Sequence, residues 1–453
     1  MITLPQAFSE RIRDQLKEEA DLFFSSLETP SPISIRKNPR KKGKEEIGNL
    51  PIDLPVPWCE NGFYLKERPV FTLDPCFHGG AYYVQEASSL FLDYILRQIL
   101  PPTPVRVLDL CASPGGKSTL IASRLPEGSL LVSNEVIRSR TATLIDNIIR
   151  WGQSEILVTN NDSADFSALR GVFDLLLVDA PCSGEGMFRK DTGSIGEWSS
   201  SNLQLCSERQ KRILQNAWGA LKPGGYLIYS TCTYNPEENE KITEWLCRHF
   251  QAESISIPHN FPGIRCADAD IAGYRFYPHR VRGEGFYISV LRKNEGEVFS
   301  WKTGKKTKKE EIIRLPQEVS RLLEGNFSYT VTQKGNRFSV FPASQSEFIR
   351  YLEKYFRVLY AGCEIAEVHN RKLKLLHPLA LNCHLNRTQI HTFEAGKETA
   401  LRFLKKEEIS VEAPAGEWIL ITYNRIALGW GKSLGNRMNN YLPKEWRIRM
   451  EIK

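Results

Sequence analysis

Two cysteines stand where apolar runs give way to polar ones, Cys182 in DAPCSGEGMFRKD and Cys232 in STCTYNPEENE. Free cysteine is a common small buried residue, so core filler is the plain alternative for each. Both follow runs that read as buried strands, FDLLLVDAPC and YLIYSTCT, and so both thiols leave strand ends. A thiol exposed at a strand end beside a cation is suited to covalent catalysis, because the thiolate is the attacking form and positive charge increases its fraction. Lys117, in VLDLCASPGGKSTLIA, is the candidate cation, and Asp179, three residues before Cys182, is the candidate carboxylate.

The glycines of CASPGGKS invite a nucleoside-triphosphate reading. A P-loop needs a glycine five positions before its second glycine, where this chain has Cys111, and a strand ending in Asp109 would aim a carboxylate at the phosphates. The same loop suits S-adenosylmethionine, which has no phosphate and carries a sulfonium and an α-amino group. Asp109 would attract that cationic end, while Gly115 and Gly116 let the backbone come close. The second strand ends at Glu135, 26 residues after Asp109, where an acid would accept from ribose hydroxyls, and the third at Asp162, within reach of an adenine amino group. Each acid could instead cap a helix, and the set could serve NAD, although GxGxxG is absent.

The elements that must position these groups follow from periodicity. From Val105, short apolar strands alternate with helices: VRVLDL, LLVSNE, EILVTNND, FDLLLVDAPC, a polar insertion, a helix near 202–221, a KPGG turn, YLIYSTCT and EGFYISVLRK. That alternation predicts an α/β doubly wound parallel sheet, with ligands at the carboxyl ends of its strands. Before it, residues 4–27 have the spacing of one or two amphipathic helices. SIRK reads as a strand, and EASSLFLDYILRQIL as an apolar helix ended by Pro101 and Pro102. After Lys293 the alternation stops, and runs such as FSVFP and EWILITYNRIALGWGKS suggest a further small α+β or β-barrel domain. The expected division is 1–100, 101–295, a basic linker at 296–316, and 317–453.

CASPGGK at 111–117, DAPCSGEG at 179–186 and STCTYNPEENE at 230–240 resemble the signature motifs of the Nop/Sun family of RNA cytosine-5 methyltransferases. The C-terminal extension is most similar to the bacterial RsmF-type branch, which methylates small-subunit ribosomal RNA. Ser113 departs from the alanine more usual there. The resemblance implies a Rossmann-like class I methyltransferase sheet, an N-terminal RNA-contacting α+β module, and a C-terminal PUA-like RNA-binding domain ending in GWGKSLGNRMNNYLPKEWR. It implies S-adenosylmethionine held by Cys111, Ala112, Ser113, Pro114, Gly115, Gly116, Lys117, Glu135, Arg140, Asp162 and Asp179. By resemblance again, Cys232 attacks cytosine and Cys182 helps release product, with Asp179 and Lys117 completing the catalytic set. The residues alone leave open which cysteine attacks. Arg189 and Lys190 are candidates for the RNA backbone, and Phe188, Tyr234 and Phe286 for the target base, each with core packing as the alternative.

Composition narrows the classes. A net charge of +7 hints at an anionic partner, and its distribution says more: six basic residues in RKNPRKKGK at 36–44 and five lysines in the first eight residues of KTGKKTKKEE at 302–311. These runs suit ribosomal RNA or the small ribosomal subunit as partner, with solvated loops as the alternative. None of the ten cysteines forms CxxC, so no metal is expected. The absence of a long apolar run or a signal-like start predicts a cytoplasmic protein off the membrane, expected to be a monomer. Two other readings remain: a methyltransferase acting on transfer RNA, and an RNA-binding ribosome-assembly factor without catalysis. DAPC in place of Asp/Asn-Pro-Pro-Tyr/Phe sets amino-group methyltransferases aside.

Overall fold

The computed structural model describes residues 3–41, 43, 50–266, 271–298, 313–370 and 372–451. The lysine run at 302–311 lies outside the described residues, as do Lys42 and Lys44 of the first basic run.

The N-terminal part opens with helices Gln6–Leu16 and Ala20–Leu27. Four strands follow, β1 (Ile33–Lys37), β2 (Ile52–Pro55), β3 (Gly62–Leu65) and β4 (Tyr82–Val84), in the order β2-β3-β1-β4. Helix Phe91–Ile99 then packs on the helix that follows the glycine loop.

The central sheet contains β5 (Arg106–Asp109), β6 (Leu130–Asn134), β7 (Ile156–Thr159), β8 (Phe173–Asp179) and β9 (Leu221–Thr231), mutually parallel in the order β7-β6-β5-β8-β9. Their residues are buried almost without interruption because helices cover both faces, as the apolar runs predicted. Chain order reverses between β5 and β8, which opens a crevice at their carboxyl ends. Two large apolar clusters, one on each side of the sheet, form the core.

The sheet is more mixed than the alternation suggested. Beyond β9 lie β10 (Glu253–Ser254), β11 (Arg265–Cys266), β12 (Tyr274–Phe276) and β13 (Phe286–Arg292); β13 runs antiparallel to β9, with β10 and β12 paired to it. The 277–285 connection from β12 is too short for a crossover, so β12 and β13 can only pair antiparallel. Lys222-Pro223-Gly224-Gly225 is the irregular start of β9 rather than a separate turn: its register with β8 shifts, and Gly224 takes φ 76° to absorb the irregularity. On the far edge, strand Val358–Ala361 from the C-terminal part pairs antiparallel with β7.

The C-terminal part has two four-stranded sheets. Tyr329–Lys334, Arg337–Pro342, Cys363–His369 and Lys372–Leu375 form one; His391–Glu394, Trp418–Tyr423, Ile426–Ser433 and Met438–Asn440 form the other. QEVSRLLEG holds only a short helix, Gln317–Ser320.

Two cations of the first basic run, Arg36 and Lys41, are used inside the fold, whereas Arg40 is exposed. Arg36 is 2% exposed. Its guanidinium donates to Gln85 Oε1 (3.0 Å), Thr119 Oγ1 (2.7 Å) and the Gly116 carbonyl (3.3 Å), and lies 4.3 Å from the Trp151 ring. Lys41 donates to the Leu381 carbonyl. Both cations are used to lock the N-terminal sheet onto the rest of the chain. Arg36→Met should leave several buried acceptors unpaired and cost about 2–4 kcal/mol, measured as an earlier midpoint of urea unfolding.

Candidate active site

β8 and β9 end in register, Asp179 opposite Ser230, and the two cysteines follow within three residues. A backbone contact between the loops then crosses over: Gly186 N donates to the Cys232 carbonyl at 2.8 Å. A Cβ at 186 would lie 2.5 Å from the Gly285 carbonyl oxygen and 2.8 Å from that of Cys232, so only glycine permits the crossing. The crossing brings Cys182 Sγ and Cys232 Sγ to 3.2 Å, both half-buried.

Two buried carboxylates that the motifs alone did not single out fix the loops. Glu238, fully buried, accepts from Ser183 N (2.9 Å), Ser183 Oγ (2.5 Å) and Gln210 Nε2 (3.1 Å), tying the NPEENE segment to the residue after Cys182. Glu185, also fully buried, accepts from Arg11 (2.6 Å), Trp198 Nε1 (2.9 Å) and Tyr234 N (3.2 Å). Their signal in the sequence was an acid placed among small residues inside each motif.

The charges lie beneath the thiols. Lys117 Nζ donates to Asp179 Oδ2 at 2.7 Å and sits 5.2 Å from the Phe286 ring centroid, while Ser230 Oγ donates to Asp179 Oδ1 at 2.7 Å. Burial works against the Lys117 ammonium, but Asp179, together with the charge at Cys232, raises its pKa above the ordinary lysine value. The Cys182 thiol is pushed well up by its contact with Cys232, by burial and by the nearby Glu238. Cys182 is thus held as a thiol beside Cys232.

The crevice next to this pair is built by the glycine loop and the ends of β5, β6 and β7. Gly115 adopts φ 108° and starts helix Gly116–Arg124. The loop before it is cross-tied, since Ser113 Oγ donates to the Arg140 carbonyl (3.1 Å), Arg140 Nη2 to the Ser113 carbonyl (2.9 Å), and Asn147 Nδ2 to the Pro114 carbonyl (2.8 Å). Ala112 N donates to the Asn134 carbonyl at 2.8 Å, and burial raises the Cys111 thiol. Asp109 accepts from Ser118 Oγ at 2.6 Å, yet its Oδ1 is buried without a well-formed hydrogen bond among the described residues, although the Cys111 amide bears on the same carboxyl. Burial, moderated by Ser118, lifts that carboxyl to about 7. Glu135 accepts from Ile137 N at 2.8 Å and faces Arg140 at 3.5 Å. Asp162 caps the turn at 163–168 by accepting from Ala164 N at 2.9 Å, so the capping alternative holds for its Oδ1.

Several expected roles change. Arg189 does not face solvent: its guanidinium is 5% exposed, pairs with Glu284 at 3.0 Å and donates to the Gly283 carbonyl at 2.6 Å. Burial beside a carboxylate removes it from RNA contact; Lys190 is exposed. Phe188 and Tyr234 are core residues, packed with Phe8 and Phe23 of the N-terminal helices. Phe286 is buried too, but underlies Lys117. Among the described residues no group of side chains could hold a metal ion, and no helix is long and apolar enough to cross a membrane.

Comparison with known proteins agrees with this geometry. The family model for the 16S rRNA methyltransferase RsmB/F matches residues 98–292, that for the N-terminal domain of 16S rRNA methyltransferase RsmF matches 4–87, and that for the methyltransferase RsmF PUA domain matches 390–448. Ribosomal RNA small subunit methyltransferase F from Escherichia coli O6:H1 is 30% identical, over 98% of this chain and 96% of its own. The chain belongs to the RsmF family of 16S rRNA methyltransferases. The expected enzyme class and Rossmann-like sheet are thereby borne out, and within this family the PUA match falls on the second of the two C-terminal sheets. The Shigella flexneri serotype 5b relative is 29% identical over 98% of this chain and 96% of its own. Among solved structures, a methyltransferase homolog from Pyrococcus horikoshii has a TM-score of 0.55 at 28% identity, over 64% of this chain and 96% of that one. NSun6 from the same organism, solved with SFG, shares the fold with a TM-score of 0.55 at 20% identity, over 64% of this chain and 98% of that one.

The electrostatic reading can be checked without turnover. Lys117→Met should slow alkylation of Cys232 by iodoacetamide at pH 8 by about 5- to 30-fold, read by peptide mass spectrometry, because the ammonium that interacts with charge at Cys232 is gone. Cys182, already held as a thiol, should change little.

Proposed function

We propose that this chain methylates carbon 5 of a cytosine in 16S ribosomal RNA, with S-adenosylmethionine as methyl donor and Cys232 as covalent nucleophile. The observation that carries the reading is the 3.2 Å contact of two strand-end thiols above the Lys117–Asp179 pair. The crevice fits the donor: Asp109 has a buried oxygen in want of a partner, Gly115 is left-handed, and Glu135 and Asp162 lie just beyond the ends of neighbouring strands. Asp109 would meet the cationic end, residues 111–117 with Arg140 would frame the methionine part, and Glu135 and Asp162 the ribose and adenine. The solved relative with SFG, an S-adenosylmethionine analogue, supports that assignment.

Carbon 5 of cytosine is too weak a nucleophile to accept a methyl group unaided. Addition of the Cys232 thiolate to carbon 6 makes the ring an enamine, nucleophilic at carbon 5. Bound S-adenosylmethionine supplies an electrophilic methyl group on a sulfonium. Loss of the carbon 5 proton and elimination of the thiolate then restore the aromatic ring. As a carboxylate, Asp179 only accepts, so its partner on cytosine is the amino group. Lys117 holds Asp179 and stabilises negative charge at Cys232. Cys182, kept protonated, stands beside the departing sulfur and is assigned to product release. The target base must leave its stack, since carbon 6 is closed off within a helix.

Incubation with labelled methyl donor and small subunits from a strain lacking this gene should label a cytosine. Cys232→Ser should lower incorporation by roughly a thousandfold or more, and full activity in that variant would overturn the assignment. Cys182→Ala should accumulate a protein–RNA complex that survives denaturing gels. Naked transfer RNA, naked 16S RNA and assembled subunits as parallel acceptors separate ribosomal from transfer RNA specificity.

Donor affinity should also depend on pH. With the Asp109 carboxyl lifted to about 7, it is ionised above that pH and neutral below it, so attraction for a cationic ligand is lost as pH falls. Calorimetry should give a Kd for S-adenosylmethionine about tenfold weaker at pH 6 than at pH 8, and Asp109→Asn should flatten the dependence.

A further inference from the structure

A cavity of about 600 Å³ lies between the N-terminal sheet and helix Arg138–Trp151, and none of Cys182, Cys232, Asp179 or Lys117 lines it. It adjoins the outer side of the glycine loop, where Asn147 Nδ2 donates to the Pro114 carbonyl and Tyr83 Oη approaches the same oxygen at 3.5 Å. Phe71, Phe77 and Tyr83 present half-buried rings to it, and Arg68 and Arg150 are its only charged residues. Arg68 lies 5.6 Å from the Phe71 ring centroid. Arg150 lies 5.0 Å from Phe77 and 5.1 Å from Trp446, and its Nε is buried with no hydrogen-bond partner among the described residues. Neither arginine forms a salt bridge among the described residues, and Asp146, which attracts Arg150, stands outside the lining.

Such a site selects its ligand. Half-buried rings lining a cavity favour a flat π-system, two guanidinium groups without a lining carboxylate favour an anion, and the volume is that of a small-molecule pocket. A nucleotide satisfies all three, and stacking with cationic support is how unpaired strands are held. An RNA whose target cytosine leaves its stack has unpaired neighbours available. We infer that this cavity is a second nucleotide site, binding an unpaired nucleotide of the RNA substrate with its base against Phe71 and Phe77 and its phosphate on Arg68 or Arg150. The inference rests on RNA being the substrate. Trp446, from the segment matched by the PUA model, does not line the cavity but lies against Arg150, which does.

The test uses the full chain and a short fluorescein-labelled single-stranded oligoribonucleotide, followed by fluorescence anisotropy. Arg68→Glu, at an exposed position, and Phe71→Ala should each raise Kd by about 5- to 100-fold, and Arg68→Glu should also lower the salt dependence by about one phosphate contact. Affinity for S-adenosylmethionine should not change, and methyl transfer should show a raised KM at constant kcat. A 4-thiouridine probe should crosslink to the peptide that spans 67–84. Folded variants with unchanged Kd, crosslinks confined elsewhere, or preference of the cavity for an acidic peptide over the oligoribonucleotide would overturn the inference. If variants lose RNA binding while the wild type transfers no methyl group, the catalytic reading fails and the nucleotide site stands. If the wild type methylates RNA and the variants match it, the reverse holds.

Discussion

The chemistry of this protein depends on one backbone crossing, the hydrogen bond from Gly186 to the Cys232 carbonyl at 2.8 Å. A parallel sheet alone sets adjacent strands about 4.8 Å apart and lets the loops beyond their ends diverge. Here β8 and β9 stay in register to Asp179 and Ser230, and the crossing keeps the chains together for several residues more. Two thiols at 3.2 Å are the result. The crossing itself stands on buried carboxylates. Glu238 and Glu185 are satisfied by several donors each, and a buried carboxylate left short of donors would be too costly to keep, so each fixes its loop in one position.

Geometry makes the cysteines near equivalents, and charge distinguishes them. Lys117 is held by Asp179, and of the two cysteines it is Cys232 whose charge acts on it. Cys182 faces the opposite influence, with Glu238 behind it and its partner's sulfur in front. A second thiolate at that distance would meet direct like-charge repulsion in a partly desolvated site. The surroundings thus keep Cys182 protonated.

Much of this could be read in the chain itself. The five parallel strands were visible because strands covered on both faces become unbroken apolar runs, and the crevice followed from the glycine loop and from acids at successive strand ends. What escaped was long-range. Arg36 and Arg189 look like surface cations in their local sequence, and only the fold supplies Gln85, Thr119 and Glu284 to receive them. The irregular start of β9 escaped because KPGG has turn composition, whereas pairing with β8 and β13 draws it into the sheet. The edge strand Val358–Ala361 could not be foreseen, since nothing in its own sequence says that it pairs two hundred residues away.

The N-terminal part therefore supports the site directly. Its helices reach the catalytic loops directly, Arg11 through Glu185 and Gln15 through the Tyr234 carbonyl at 3.2 Å. Burial of Phe8 and Phe23 against Phe188 and Tyr234, worth about 2 kcal/mol per ring, holds them there. Its sheet reaches the other half of the site, because Arg36, which also donates to Gln85, grips the helix that starts at Gly116. The same segment thus supports the thiols from one side and the glycine loop from the other. The N-terminal part thereby fixes the thiols and the glycine loop relative to one another.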